Sequence, residues 1–196
     1  MIWRRAKRRG PLVLLLHGHG VDERDIFPLE HAFPPGASVA ALRGPIASED
    51  GFRWYAHHAV GRPIAASLAD GMAYVEAWLS AQDAAGIWLV GFSGGASMAG
   101  ALLASAPQRF AGAALLHGTL PFDAGVPLGP GQLSGCEVFF GYGEADAVVP
   151  PALIARTRAY LQDQSGARVE LRGYRAAHEI VPAEERDLAR WYAALT

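Results

Sequence analysis

A chain of 196 residues, about half of them apolar, can bury one sizeable core, so its length predicts a single domain spanning residues 1–196. Charged residues make up only 18% and the net charge is −2, which argues against a disordered chain and gives no general attraction to nucleic acid. The lone cysteine, Cys136, allows no intrachain disulfide and no cysteine-based metal site.

The chain opens on a basic run, Arg4, Arg5, Lys7, Arg8 and Arg9, which holds five of the 17 basic residues and leaves 12 against 19 acids elsewhere. No aromatic-interleaved basic surface accompanies it, so it reads as a solvated first strand or frayed tail. The following "PLVLLL" is too short for a signal-peptide core and has no small-residue cleavage site. Every other long apolar stretch is broken by Gly, Pro or charge. The expectation is a soluble cytoplasmic protein without stable membrane insertion.

Six short apolar runs then recur: "PLVLLLH", "SVAALR", "GIWLVGF", "FAGAALLH", "EVFFGYG" and "RVELRGY". Helical spacing separates them around residues 64–82, 94–106, 151–164 and 182–195, with Pro151 and Pro182 suited to first helical turns. The alternation predicts an α/β fold with a mostly parallel sheet and helices on both faces. Residues 119–135, rich in Gly and Pro, read as a loop over the sheet. Ligands of such sheets bind beyond the strands' carboxyl ends, which directs attention to His17–Gly20, Arg43–Pro45, Ser93, His117, Glu144–Asp146 and His178.

Gly91-Phe92-Ser93-Gly94-Gly95 has the form G-x-S-x-G between a strand and a helix, the context a nucleophilic serine requires. A serine hydroxyl needs a base to take its proton, usually a histidine oriented by a carboxylate, in the chain order Ser, acid, His. His178 fits as base. His117 precedes the acids and reads as a pocket-wall or buried, hydrogen-bonded residue. For the acid, Asp146 is preferred over Glu144 because it sits in the turn before a Pro-started helix, although a capping role is open to it. The backbone amides of His19 and Gly94 are the expected oxyanion donors.

His17 and His19 also form an H-x-H pair, but no acid-and-histidine cluster at ligand spacing completes a metal site, so no metal is expected. His31, His57 and His58 read as solvated or at the rim of the site. Cys136 starts a strand, the wrong end for a nucleophile. No dinucleotide or phosphate loop appears, and serine acyl transfer needs no cofactor.

With these motifs the chain resembles the α/β-hydrolases of the carboxylesterase/phospholipase family, which includes acyl-protein thioesterases and small bacterial carboxylesterases. The likeness rests on "LLLHGHG", "ALRGP", "FRWY", "GFSGGASMA", "GEADAVVP" and "HEIVP" and covers most of the chain. It implies hydrolysis of esters or thioesters through an acyl-enzyme, with Ser93, Asp146 and His178 as triad and His19 and Gly94 as oxyanion donors. Four departures stand out: Gly94 where glutamine is frequent, His19 in place of an apolar residue, Ala177 before the base where glycine is common, and no acid after "RWYAHH".

So short a chain leaves little room for a large lid, which predicts an open site for a small-molecule ester of short to medium acyl length, thioesters and lysophospholipids included. Trp54, Phe52, Leu120 and Phe122 are the expected apolar contacts, with core packing an equal alternative for each. Two other functions stay open, a non-catalytic binding module on the same fold and a lactone hydrolase. An exposed apolar helix face would also support a homodimer.

Overall fold

The computed structural model describes residues 1–7 and 9–196; Arg8 of the basic run lies outside them. Strand β1 (Ile2–Arg4) leads into β2 (Leu12–Leu16), a single helical turn α1 (Glu23–Ile26) and β3 (Ser38–Leu42). Two small hairpins follow, β4 (Ile46–Ser48) with β5 (Gly51–Arg53), then β6 (His57–Ala59) with β7 (Arg62–Pro63). The chain then alternates through α2 (Ala65–Ser80), β8 (Ile87–Phe92), α3 (Gly94–Ser105), β9 (Gly112–Leu116), β10 (Glu137–Gly143), α4 (Pro151–Ala159), β11 (Arg168–Tyr174) and α5 (Pro182–Ala193).

Among the described residues the main sheet has seven strands in the order β1-β3-β2-β8-β9-β10-β11. Only β1, at one edge, runs antiparallel. Side chains alternate across a strand, so β2 feeds two cores. Leu12, Leu14 and Leu16 pack with Leu68, Val75 and Leu79 of α2 and Met98 and Leu102 of α3. Val13 and Leu15 pack on the other face with Ile26, Leu29, Leu188 and Trp191. Both faces are covered, so β2 is buried at every position and reads as a continuous apolar run. Each such Leu contributes roughly 1.5–3 kcal/mol by leaving water.

Helix α3 is the innermost helix, buried from Gly95 to Ala104, which accounts for an Ala- and Gly-rich sequence without a polar face. The six expected strands and four expected helices all form, although the segment 151–164 ends in a π-helical turn, Tyr160–Gln164. Residues 119–135 form a loop without strand or helix. The short β1, the two hairpins and α1 carry too few residues for periodicity to mark them.

Three residues of the basic run make contacts within the chain. Arg4 donates to the carbonyls of Glu30, Phe33 and Pro34, Arg5 lies over the Trp3 ring at 4.4 Å, and Arg9 pairs with Asp83 at 2.7 Å. No helix among the described residues is long and apolar enough to cross a membrane.

Candidate active site

After β2 the chain lays β3 on one side, whereas the strands from β8 onward extend on the other. The loops leaving β2 and β8 therefore part, and a crevice opens at the carboxyl ends of these two strands. Leu16 of β2 stands opposite Gly91 of β8, which brings the His17–Gly20 loop level with Ser93. Phe92 ends β8, and Ser93 turns the chain directly into α3. A Cβ on Gly91 would collide with the carbonyl of Gly95, and one on Gly95 with that of Leu16, so glycine is required at both. Ser93 itself holds φ 55° and ψ −116°, a strained conformation for a residue with a Cβ. Its N–H donates to Leu116 O at 2.9 Å, tying the turn to β9.

Three side chains from three separate turns meet here. Ser93 Oγ lies 2.9 Å from His178 Nε2, and His178 Nδ1 lies 2.8 Å from Asp146 Oδ2. The network assigns the imidazole proton to Nδ1, donating to Asp146, and leaves Nε2 to accept from the serine. Asp146 Oδ1 accepts from the N–H groups of Val148 and Val149, so the carboxylate is both oriented and capped. Burial would raise the Asp146 carboxyl, but the hydrogen bonds from His178 and these amides outweigh it and hold it below the usual range. Glu144, the other acid considered, is exposed, whereas Asp146 is buried.

Behind Asp146 lies a second buried pair. His117 Nε2 is 2.8 Å from Glu184 Oε2, and its Nδ1 faces Asp146 Oδ2 at 3.8 Å. Both side chains are fully buried. His117 also holds a positive φ of 48° directly after β9, and its N–H donates to Gly141 O. The residue is thus the buried, hydrogen-bonded one expected. Glu184, in the first turn of α5, was not anticipated, because nothing in "PAEERD" distinguishes it from its exposed neighbour Glu185.

His17 and His19 do not act as a pair. His17 is fully buried, its Nδ1 donating to Gly18 O at 2.6 Å and its Nε2 accepting from Gly44 N–H at 3.0 Å. Burial lowers its pKa, consistent with a neutral ring that braces the loop. His19 instead turns toward Gly94 and lines a cleft of about 230 Å³ with Tyr55, His57, Val60, Ser93 and His178. His31 and His58 are exposed.

None of the four expected apolar contacts lies on the cleft wall. Trp54 is fully buried beneath it, its Nε1–H donating to His17 O at 2.8 Å. Phe52 pairs with Val21 and lies under the Arg43 guanidinium, 4.6 Å away. Leu120 is buried against α3 where Gly100 leaves room, and Phe122 packs between Arg156 and Tyr160. These large side chains gain more from packing loop backbone onto the core than from facing an open cleft. Its apolar walls come instead from Tyr55, Ala59, Val60, Val148 and Val149. The "DAVVP" valines, adjacent to the acid, were the available signal.

Six parallel strands with helices on both faces, and a strained strand-to-helix turn at a central strand, are the α/β-hydrolase fold. Residues 59–195 match the phospholipase/carboxylesterase family, to which the chain belongs. MhqD of Bacillus subtilis (strain 168), named as a candidate hydrolase, is 27% identical over 187 residues, 92% of each chain. The structure is similar to a Bacillus cereus carboxylesterase, with a TM-score of 0.87 and 26% identity over all of this chain and 93% of that one. It is also similar to a carboxylesterase from Mesorhizobium loti, with a TM-score of 0.78 and 28% identity over 96% of this chain and 90% of the other.

Proposed function

We propose that the protein is a serine esterase that hydrolyses short-chain carboxylic esters through an acyl-enzyme. The observation that carries this reading is the continuous chain of hydrogen bonds from Ser93 Oγ through His178 to Asp146, at 2.9 and 2.8 Å. Ser93 Oγ attacks the ester carbonyl carbon while His178 Nε2 takes its proton. Asp146 holds the ring in the productive tautomer and stabilises the imidazolium. The oxyanion falls to the N–H of Gly94, unpartnered within the helix because it opens α3, and to the N–H of His19. Collapse of the intermediate passes the proton from His178 to the departing alcohol, and a water then repeats the sequence to free the acid. General base and oxyanion donors of this kind supply roughly 10²–10⁴-fold each.

The cleft of about 230 Å³ lies at the small end for ligand sites and suits a short acyl group better than a long lipid chain. Two of the similar solved structures are carboxylesterases by name, which supports the same chemistry. The test is hydrolysis of 4-nitrophenyl esters over a series of acyl lengths, wild type beside Ser93→Ala. Turnover is expected to peak at short acyl chains and to fall at least about 10³-fold in the variant, with its thermal melt intact. Equal turnover in both proteins, or failure of a fluorophosphonate to label wild type, would favour a binding module on this fold.

A further inference from the structure

Behind Ser93, His178 and Asp146 lies a buried pair that the proposed chemistry does not use. His117 follows β9 and Glu184 stands in the first turn of α5, both side chains fully buried, with Nε2 2.8 Å from Oε2. Each keeps one polar atom without a hydrogen-bond partner among the described residues, His117 Nδ1 and Glu184 Oε1. The sheet makes room for the pair, since a Cβ on Gly141 of β10 would run into Glu184 Oε1.

The placement of protons in this pair decides what Asp146 meets from behind. His117 Nδ1 lies 3.8 Å from Asp146 Oδ2, the same oxygen that pairs with His178 Nδ1. The short contact between Nε2 and Oε2 needs one proton. With that proton alone, Glu184 would be a buried carboxylate with one oxygen unpartnered, and Nδ1 would turn its lone pair toward a second carboxylate. Two buried negative groups around one neutral ring are costly. A second proton, on Nδ1, removes the conflict. The ring N–H then faces Asp146 Oδ2, and the pair carries no net charge whichever side of the short contact holds the shared proton. The other titratable groups nearby are His178, whose ring stands edge-on to His117 at 6.1 Å, and Tyr174 at the end of β11, whose hydroxyl donates to Asp187 at 3.0 Å.

We propose that His117 is a positioning residue: protonated at Nδ1 through its pairing with Glu184, it steadies the rotation of Asp146 that offers Oδ2 to His178. At 3.8 Å it acts by charge rather than by a hydrogen bond. The role rests on the serine-esterase reading above. A carboxylate relieved of part of its charge holds a protonated His178 less firmly, so His178 can accept the Ser93 proton at lower pH.

The proton is observed directly in long-range proton–nitrogen correlation spectra of wild type near neutral pH, with the His117 ring assigned through the backbone of Leu116 and Gly118. Nδ1 is expected to carry a proton, and a bare Nδ1 overturns the proposal while leaving the esterase reading standing. These spectra need no variant. The consequence is read from kcat/KM for 4-nitrophenyl butyrate against pH. In His117→Leu/Glu184→Met, which leaves no buried charge unpaired, the acid limb should move up by roughly 0.5 in pH with KM little changed. Glu184→Gln, whose amide can donate to Nε2 and so keep the proton on Nδ1, should hold the limb in place. An unmoved limb in the double variant, the result of a merely structural pair, overturns the positioning role. Wild-type turnover no higher than that of Ser93→Ala removes the esterase reading and the positioning role together.

Discussion

Ser93 stands at φ 55° and ψ −116° in a turn fixed by glycines on either side, so its hydroxyl is presented at the expense of backbone strain. A non-glycine residue in such a region costs on the order of 1–3 kcal/mol. Glycine adopts it freely and alanine does not. Both Ser93→Gly and Ser93→Ala should be inactive, and the glycine variant should be the more stable by about 1 kcal/mol or more, read from urea melts of the two. Equal stability would mean that the strain is relieved elsewhere in the turn. Ser93 was legible in sequence because a glycine two positions away on each side serves both the turn and the motif. For Trp54 and Leu120 the sequence left cleft contact and core packing open, because an aromatic or leucine beside a motif reads alike whether it faces a cleft or fixes the loop below it; both are core residues.

Among the elements, α5 is anchored by more than its apolar face. Leu188, Trp191 and Tyr192 pack on the sheet, while Glu184 in the first turn reaches His117 after β9 at 2.8 Å, fully buried. Removing one member of a buried polar pair leaves the other unsatisfied, a loss of about 3 kcal/mol or more. Glu184→Ala should lower stability by that amount, whereas Glu185→Ala at its exposed neighbour should stay within about 0.5 kcal/mol. Chemical denaturation of the two variants decides it, and similar losses would reduce Glu184 to an ordinary helix residue. The long elements were readable because strands covered on both faces are continuously apolar and helices between them are periodic. β1 and the hairpins of residues 46–63 were not, since two or three residues of strand carry no period.

Across the whole molecule, Ser93, Asp146 and His178, the proposed nucleophile, acid and base, stand in turns that follow strands of one sheet, so topology alone indicated where to look. The cleft walls follow no such rule. They combine β6–β7, the residues after Asp146 and the loop after β9, segments far apart in sequence. No helical lid is inserted over the cleft among the described residues. Hydrolysis of a sparingly soluble short ester such as tributyrin should therefore rise smoothly through its solubility limit, without the abrupt gain that lid opening at an interface produces. An abrupt gain would point to a segment that closes over Ser93.

The burial of α3 on every side divides the site into two halves with different tolerances. The half that carries Ser93 is locked: glycines touch neighbouring carbonyls, and a larger side chain along α3 would displace the sheet. The half that faces the substrate is built partly from a two-stranded hairpin whose tip, around Val60, is exposed. Exchange of that hairpin touches little of the core, so the cleft wall can be changed here while the proposed triad stays fixed. Grafting of β6–β7 between relatives is the change this architecture accommodates most readily.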